Sequence, residues 1–222
     1  ENYEDYLQSL KIAYLYGKTI TLSNTHWPET NAKMLKNRRI GLSQSGVVQA
    51  FTKHGRREMY EWCDKAYQYI TELDEEYSNW LCIPKSIRTT SIKPSGTVSL
   101  LNGSTPGIHF PENEYYIRRI RVAKNEDIYH YLLINHPELI EDEFFRPHDT
   151  AVISVPQKAP VNAVLRYESA MELLERVKWF SKNWIRNGHK RGNNTHNISA
   201  TISIREHEWY DVGEWMWENT NS

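Results

Sequence analysis

Apolar residues recur at helical spacing in three parts of the chain. The first set predicts a helix over about residues 3–17 and consists of Tyr6, Leu7, Leu10, Ala13 and Tyr14. The second follows a break near Gly55 and consists of Trp62, Ala66, Tyr69, Ile70, Leu73 and Tyr77. The third consists of Ala170, Leu173, Leu174, Val177, Phe180 and Trp184. Each set forms one apolar stripe, so we expect each helix to pack that side against a core.

Short runs of β-forming residues between these helices predict strands. They cover residues 38–43, 88–93, 118–122, 151–155 and 198–204. Pro156 is expected to end the fourth run. The fifth run has the clearest alternation, with apolar residues at Ile198, Ala200, Ile202 and Ile204. Strands that alternate with helices indicate an α/β layer fold, and either a barrel or a doubly wound sheet would satisfy this pattern.

Charge and cysteine content narrow the class of protein. Lys and Arg total 27 and Asp and Glu total 28, so the formal net charge is −1. A chain so balanced has no global field for nucleic acid or an anionic membrane, and we expect neither as a partner. Two cysteines in 222 residues argue against a disulfide scaffold and favour a cytoplasmic location. The histidines form no H-E-x-x-H pattern, so we expect no protein metal site.

The most specific local signal is a turn between a predicted strand and an apolar run, at residues 92–101. Backbone N–H groups in such a turn, together with small residues, can hold a phosphate or another oxyanion. The candidate phosphate-binding residues are Ser95, Gly96, Thr97, Val98 and Ser99. An ordinary helix N-cap would explain the same residues. The motifs of P-loops and of dinucleotide-binding folds are both absent from the sequence.

Several motifs, in order along nearly the whole chain, resemble the adenosylcobalamin-dependent ribonucleoside-triphosphate reductases, which are monomeric-type class II ribonucleotide reductases. The motifs lie at residues 25–31, 37–41 with 45–46, 93–97, 105–109, 115–119 and 196–201. The resemblance implies a ten-stranded α/β barrel, of which residues 1–222 would be one C-terminal segment, truncated at both ends. It also implies thiyl-radical reduction of ribonucleoside triphosphates to 2′-deoxyribonucleotides, with adenosylcobalamin as cofactor. In the family, the loop that matches Ser95 to Ser99 holds the substrate phosphates.

The cysteine count leaves a gap in that chemistry. The family mechanism needs one radical cysteine and a reducing pair, whereas this chain has only Cys63 and Cys82. We interpret both as structural and expect the radical loop to precede Glu1. The rest of the reductase chain would supply that loop, and parts not shown would bind the deoxynucleotide effector and thioredoxin. The isolated segment is therefore predicted to lack reductase activity.

Other candidate contacts are weaker. His109 follows a Pro-Gly turn, and Asn197 precedes the clearest predicted strand; both are candidate contacts to substrate or cofactor. Arg118, Arg119 and Arg121 would form a basic strand face, which is more typical of a solvated surface than of a triphosphate site. Two alternatives stay open. The chain could be a fragment of another reductase class, or a phosphate- or nucleotide-binding α/β module without catalysis.

Overall fold

The computed structural model describes residues 2–96, 98–110, 113–159, 161, 167–185 and 196–220. The helices are α1 (Tyr3–Ile20), α2 (Pro28–Asn37), α3 (Val47–Trp80), α4 (Val98–Leu101), α5 (Asp127–Asn135), α6 (Ala170–Phe180) and α7 (Trp209–Glu218). The strands are β1 (Tyr115–Ala123), β2 (Ile140–Asp142) and β3 (Thr150–Lys158). Within these ranges, no helix is long and apolar enough to cross a membrane.

The three predicted helices are confirmed. α1 begins with a capping box, in which Asn2 accepts from the backbone N–H of Asp5 and Asp5 accepts from that of Asn2. α3 contains the predicted break, because Gly55 has a φ of 78° and non-helical geometry. A turn with π-helical geometry at Ser181–Ile185 follows α6 and carries Trp184. Their apolar stripes form one core, since residues from all three helices lie in a single buried cluster.

Three extended segments, residues 40–43, 88–93 and 196–199, lie side by side and run parallel. Leu42 bridges Thr90, and Ile92 bridges Ile198. Helix α3 connects the first segment to the second, and α6 lies between the second and the third. This is the crossover connection that parallel strands require, so the α/β class is confirmed at this point. The predicted strands at 38–43 and 88–93 shorten to isolated bridges, and no barrel closure is visible in the described ranges.

Trp184 joins the helical core to the parallel segments. Its buried indole Nε1 donates to the carbonyl oxygens of Leu42, at 3.3 Å, and Ser91, at 3.1 Å. The hydroxyl of Thr90 donates in return to the carbonyl of Trp184, at 2.8 Å. These bonds hold neighbouring segments in register where the backbone ladder between them is short.

A separate antiparallel sheet has the strand order β1–β3–β2. β3 continues through Pro156 to Lys158, so the prediction that proline ends this strand was wrong. Pro156 pairs with Ile117 of β1, whereas β2 pairs only with residues 151–153 of β3. The Ala159 N–H bonds to Glu114 of the β1 side, so by alternation the position of Pro156 faces away from β1. The missing donor therefore breaks no bond to β1 and lies beyond the reach of β2.

The clearest predicted strand, residues 198–204, is largely wrong as a strand. Only Ile198 forms a bridge, and residues 199–204 have no regular element. The alternation itself is kept, because Ile202 and Ile204 pack against the cluster of α6 and α7 while Thr201 and Ser203 are exposed. An alternating pattern indicates which side chains face a core. A β-strand also needs a neighbouring segment with which its backbone can form hydrogen bonds.

Candidate functional site

The three parallel segments have one apolar face and one polar face. Leu42, Ile92 and Ile198 all pack into the helical core. Because side chains alternate along extended backbone, the residues beside them face the other way. The residues on this opposite face, which we call the polar face, include Gly41, Ser43, Ser91, Lys93, Asn197 and Ser199. Open α/β sheets bind ligands at the carboxyl ends of parallel strands, where Ser43, Lys93 and Ser199 lie.

Lys93 is the centre of the polar face. Its Nζ donates to Oδ1 of Asn197, at 2.8 Å, and to Oγ of Ser199, at 2.9 Å. Its backbone N–H donates to Oγ of Ser43, at 2.9 Å. The structure thus places Asn197, a predicted contact, beside Lys93. Lys93 itself was not among the predicted site residues. The signal was available, because Lys93 opens the motif at residues 93–97.

The predicted phosphate-binding turn follows Lys93 directly and is partly exposed. Gly96 is exposed, and a Cβ at this position would meet no atom within 4 Å. Val98 is also exposed, whereas Ser99 is buried. Thr97 lies outside the described residues. The turn is therefore open to solvent at Gly96, three positions after Lys93.

Some predicted donors of this turn are already engaged within it. The N–H of Gly96 donates to the carbonyl of Pro94, at 3.0 Å. The hydroxyl of Ser99 donates to the carbonyl of Ser95. Helix α4 has only 4 residues, so it adds little dipole to the turn. In this conformation the hydroxyl of Ser99 acts inside the loop, and phosphate binding by the five residues stays a prediction.

The loop at residues 105–109 packs against the backbone of Lys93, where the turn begins. Gly107 adopts a φ of 56°, and a Cβ there would lie 2.5 Å from the carbonyl oxygen of Lys93. Side chains of the core helices hold this loop, since Gln49 accepts from the N–H of Thr105 and Arg176 donates to the carbonyl of Ile108. The backbone of Lys93 is thus packed against a loop that the core helices hold in place. This packing fixes the position from which the Lys93 side chain extends.

His109 joins this supporting loop to the third parallel segment. Its Nε2 accepts from the N–H of Thr201, at 2.9 Å, and its Nδ1 lies 3.3 Å from the carbonyl of Pro106. These partners select the neutral tautomer with the proton on Nδ1. Burial is the main cause that lowers the pKa of His109 below its ordinary value, and nearby Arg176 lowers it further. Both ring nitrogens serve the fold here, and substrate or cofactor contact by His109 stays a prediction.

His196 lies at the edge of the polar face. Its Nδ1 is 2.9 Å from the carbonyl of Thr90. Burial lowers the pKa of His196, and the positive charges of Arg39, Lys93 and Arg88 lower it further. Three cationic side chains therefore act on the imidazole of His196, which indicates a positive potential at this edge of the polar face.

The basic strand face behaves mostly as a structural surface. Arg119 pairs with Glu141, and Arg121 pairs with Glu143 at 3.2 Å. Both carboxylates lie on the far side of β3, so the pairs span the sheet. This supports the interpretation of a solvated, paired face.

Both cysteines are free thiols. Cys63 is buried, and burial raises the pKa of its thiol to about 12, so almost no thiolate forms at neutral pH. Cys82 is exposed, at the end of α3. The described residues include no group of three His, Cys, Asp or Glu side chains that could hold a metal ion.

Comparison with known proteins finds relatives of this chain that share one name. The chain is 38% identical over 205 residues to the adenosylcobalamin-dependent ribonucleoside-triphosphate reductase of Euglena gracilis, covering 92% of this chain and 27% of that protein. A probable enzyme of the same name from Dictyostelium discoideum is 56% identical over 128 residues, or 58% of this chain and 17% of that protein. The enzyme of Lactobacillus leichmannii is 31% identical over 149 residues, or 56% and 20%. No family model matches the chain.

A solved structure shows the fold. The crystal structure of a B12-dependent class II ribonucleotide reductase superposes with a TM-score of 0.74 and 24% identity, covering 95% of this chain and 32% of that one. The fold is therefore that of part of a ribonucleotide reductase. With the sequence relatives, the chain belongs to the family of adenosylcobalamin-dependent ribonucleoside-triphosphate reductases. It spans about a quarter or less of the length of the three curated relatives compared above.

Proposed function

We propose that this chain is a segment of the catalytic barrel of an adenosylcobalamin-dependent reductase that converts ribonucleoside triphosphates to 2′-deoxyribonucleotides. The observation that carries the proposal is an alignment over 92% of the chain with a reductase of that name. The parallel segments support it, because their polar carboxyl ends lie together as a ligand site requires. We place the segment in the C-terminal part of a ten-stranded barrel, in a cytoplasmic enzyme.

Exposed apolar side chains support the interpretation as a segment. Trp217 is 82% exposed, Phe144 is 87% exposed and Leu101 is 84% exposed. Further aromatic residues, Trp209 and Tyr210, are exposed on α7. Extensive exposed apolar surface marks an interface, and we propose that the remainder of the reductase covers it.

The contribution of this segment is the substrate phosphate site. We assign it to Ser95, Gly96, Thr97, Val98 and Ser99, and the exposed backbone at Gly96 can approach an oxyanion closely. Effector and thioredoxin would bind elsewhere in the complete protein. The ribonucleotide would lie across the polar face with its phosphates toward this turn.

We expect Gly96→Val to test the turn without unfolding the chain. A Cβ at position 96 would meet no protein atom within 4 Å, so we expect the added side chain to obstruct a ligand rather than the fold. The KM for the ribonucleoside triphosphate should rise about tenfold or more, since a charge-assisted hydrogen bond contributes roughly that factor. Steady-state kinetics of the complete reductase measure this, with the melting temperature as a control for folding. An unchanged KM would exclude the turn from the phosphate site.

The polar face also fits a cobalamin that carries its own cobalt. Adenosylcobalamin supplies a cobalt–carbon bond whose homolysis starts the radical chemistry. Such a cofactor would need no metal-ligand cluster from the protein, and the residues named above on this face offer hydrogen-bonding groups and no carboxylate. The Oδ1 of Asn197 accepts from Lys93, and no described residue accepts from its side-chain N–H groups, which can therefore donate to such a cofactor. We propose that Asn197 and neighbouring hydroxyls form part of the cofactor wall.

The isolated chain is predicted to have no reductase activity. The thiyl mechanism needs a radical cysteine and a reducing pair, and here Cys63 is buried with a raised pKa, which leaves only Cys82 accessible. Turnover of a ribonucleoside triphosphate with adenosylcobalamin and a dithiol measures this, with the complete reductase as the positive control. Deoxynucleotide formed above background by the isolated chain would contradict the prediction. Inactivity of the complete protein would contradict the proposed function itself.

A further inference from the structure

The ammonium of Lys93 is held in place without being neutralised. Its contacts are the amide oxygen of Asn197 and the hydroxyl of Ser199, and both are uncharged. Across the part of the chain that the structure describes, no ion pair with Lys93 is observed. This contrasts with Lys18 and Lys124, which pair with Asp74 and Asp142, each at 2.6 Å.

The surroundings of Lys93 add to its charge. The pKa of His196 is lowered mainly by burial and then by the charges of Arg39, Lys93 and Arg88, with no carboxylate among its causes. The other residues named above on the polar face, Gly41, Ser43, Ser91, Asn197 and Ser199, are uncharged. A cation that no described carboxylate pairs attracts anions more strongly than a paired one, because no opposite charge offsets its field.

Contacts hold Lys93 at both its backbone and the ammonium end of its side chain. Gly107 packs against its backbone carbonyl, and Asn197 and Ser199 bind its Nζ from the neighbouring segment. The entropy of a long flexible side chain is thus already restricted before any ligand arrives. Lys93 is exposed, so a ligand can reach its ammonium, and these hydrogen bonds already hold the ammonium on the polar face.

We propose that Lys93 is the residue through which the site distinguishes substrates by the charge of their phosphate chain. Asn197 and Ser199 are positioning residues that hold the ammonium beside the turn at Ser95 and Gly96. This rests on the proposed function, because it assigns a specificity role within the same site. Binding should then depend on Lys93 most strongly for the triphosphate, less for the diphosphate, and hardly at all for the unphosphorylated nucleoside.

The test compares these three ligands on the complete reductase, with Lys93→Met, Lys93→Arg and the control Lys11→Met. Lys11 is exposed on α1, away from the polar face. Lys93→Met should weaken equilibrium binding of the triphosphate about 10- to 100-fold, the range for a lost charge-assisted hydrogen bond. Nucleoside binding should change less than about twofold, and Lys93→Arg should keep the preference for the triphosphate because it keeps the charge. Lys11→Met should behave as the wild type.

The outcomes separate this inference from the function on which it rests. Equal weakening of triphosphate and nucleoside would show a structural role for Lys93 and overturn the inference, as would no weakening at all. Loss of adenosylcobalamin affinity with unchanged nucleotide affinity would also overturn it and place Lys93 on the cofactor. All three of these results leave the proposed function intact. If the wild-type reductase bound none of the nucleotides, the proposed function would fail first. Inhibition by inorganic tripolyphosphate that Lys93→Met relieves would support the inference without any nucleoside.

Discussion

Gly107→Ala is expected to destabilise the chain by about 2–5 kcal/mol and to displace the turn that begins at Lys93. Two effects combine at this position. The φ of 56° costs about 1–2 kcal/mol for a residue with a Cβ. The new Cβ would also lie 2.5 Å from the carbonyl oxygen of Lys93, a backbone atom that cannot rotate away. Overpacking of this kind typically adds about 1–3 kcal/mol.

Gly103→Ala is the matched control for that experiment. Gly103 has a similar φ of 60°, but a Cβ there would meet nothing within 4 Å. Denaturant unfolding of both variants therefore separates backbone strain, expected in each, from the steric clash, expected only at Gly107. Equal loss of stability in the two variants would show that the clash is relieved, and that the support under Lys93 is softer than the packing indicates.

Asp74→Ala is expected to lower the free energy of unfolding by about 3–5 kcal/mol, because it leaves a buried charge without its partner. Asp74 accepts from Nζ of Lys18 at 2.6 Å and from the hydroxyl of Tyr14 at 2.8 Å. It also accepts from the backbone N–H of Ser86, at 2.9 Å. Lys18 is fully buried, and its ammonium contacts Ser86 and the carbonyl of Pro84 as well. The network joins α1, α3 and the loop that leads to the second parallel segment.

The double variant Lys18→Met with Asp74→Leu tests the reason for that loss. If the cost of Asp74→Ala comes from the stranded ammonium, removing both charges should recover part of the stability, because apolar residues of similar volume can replace a buried pair. Chemical denaturation of the single and double variants measures the coupling between the two sites. A double variant that is less stable than Asp74→Ala would mean that the hydrogen bonds to Tyr14 and Ser86 matter more than the pair.

Local patterns in the sequence predicted the helices well and the strands less well. Helical stripes such as that from Ala66 to Tyr77 succeed because a helix satisfies its backbone within itself. Residues 198–204 show the opposite, since an extended segment needs a second segment to become a strand. Pro156 was expected to end a strand, whereas its effect depended on which side of β3 has a partner strand at this position.

The candidate site divides in the same way. The turn after Lys93 was recognisable because glycine, proline and hydroxyl residues have local conformational preferences. The partners of Lys93 were not, because Asn197 and Ser199 lie more than a hundred positions further along the chain. The role of Gly107 as a support under Lys93 likewise depends on two backbones meeting across the fold.

By itself, the sequence determined the family, the helices and the place of the candidate turn, since motifs and helical periodicity are written in neighbouring residues. Only the tertiary structure decided that the parallel segments present one polar face and that, among the described residues, no carboxylate pairs with Lys93. It also directed both nitrogens of His109 to backbone partners, at Pro106 and Thr201. The physical reason is that charge compensation and hydrogen bonding across the fold depend on distances between residues that the chain order does not bring together.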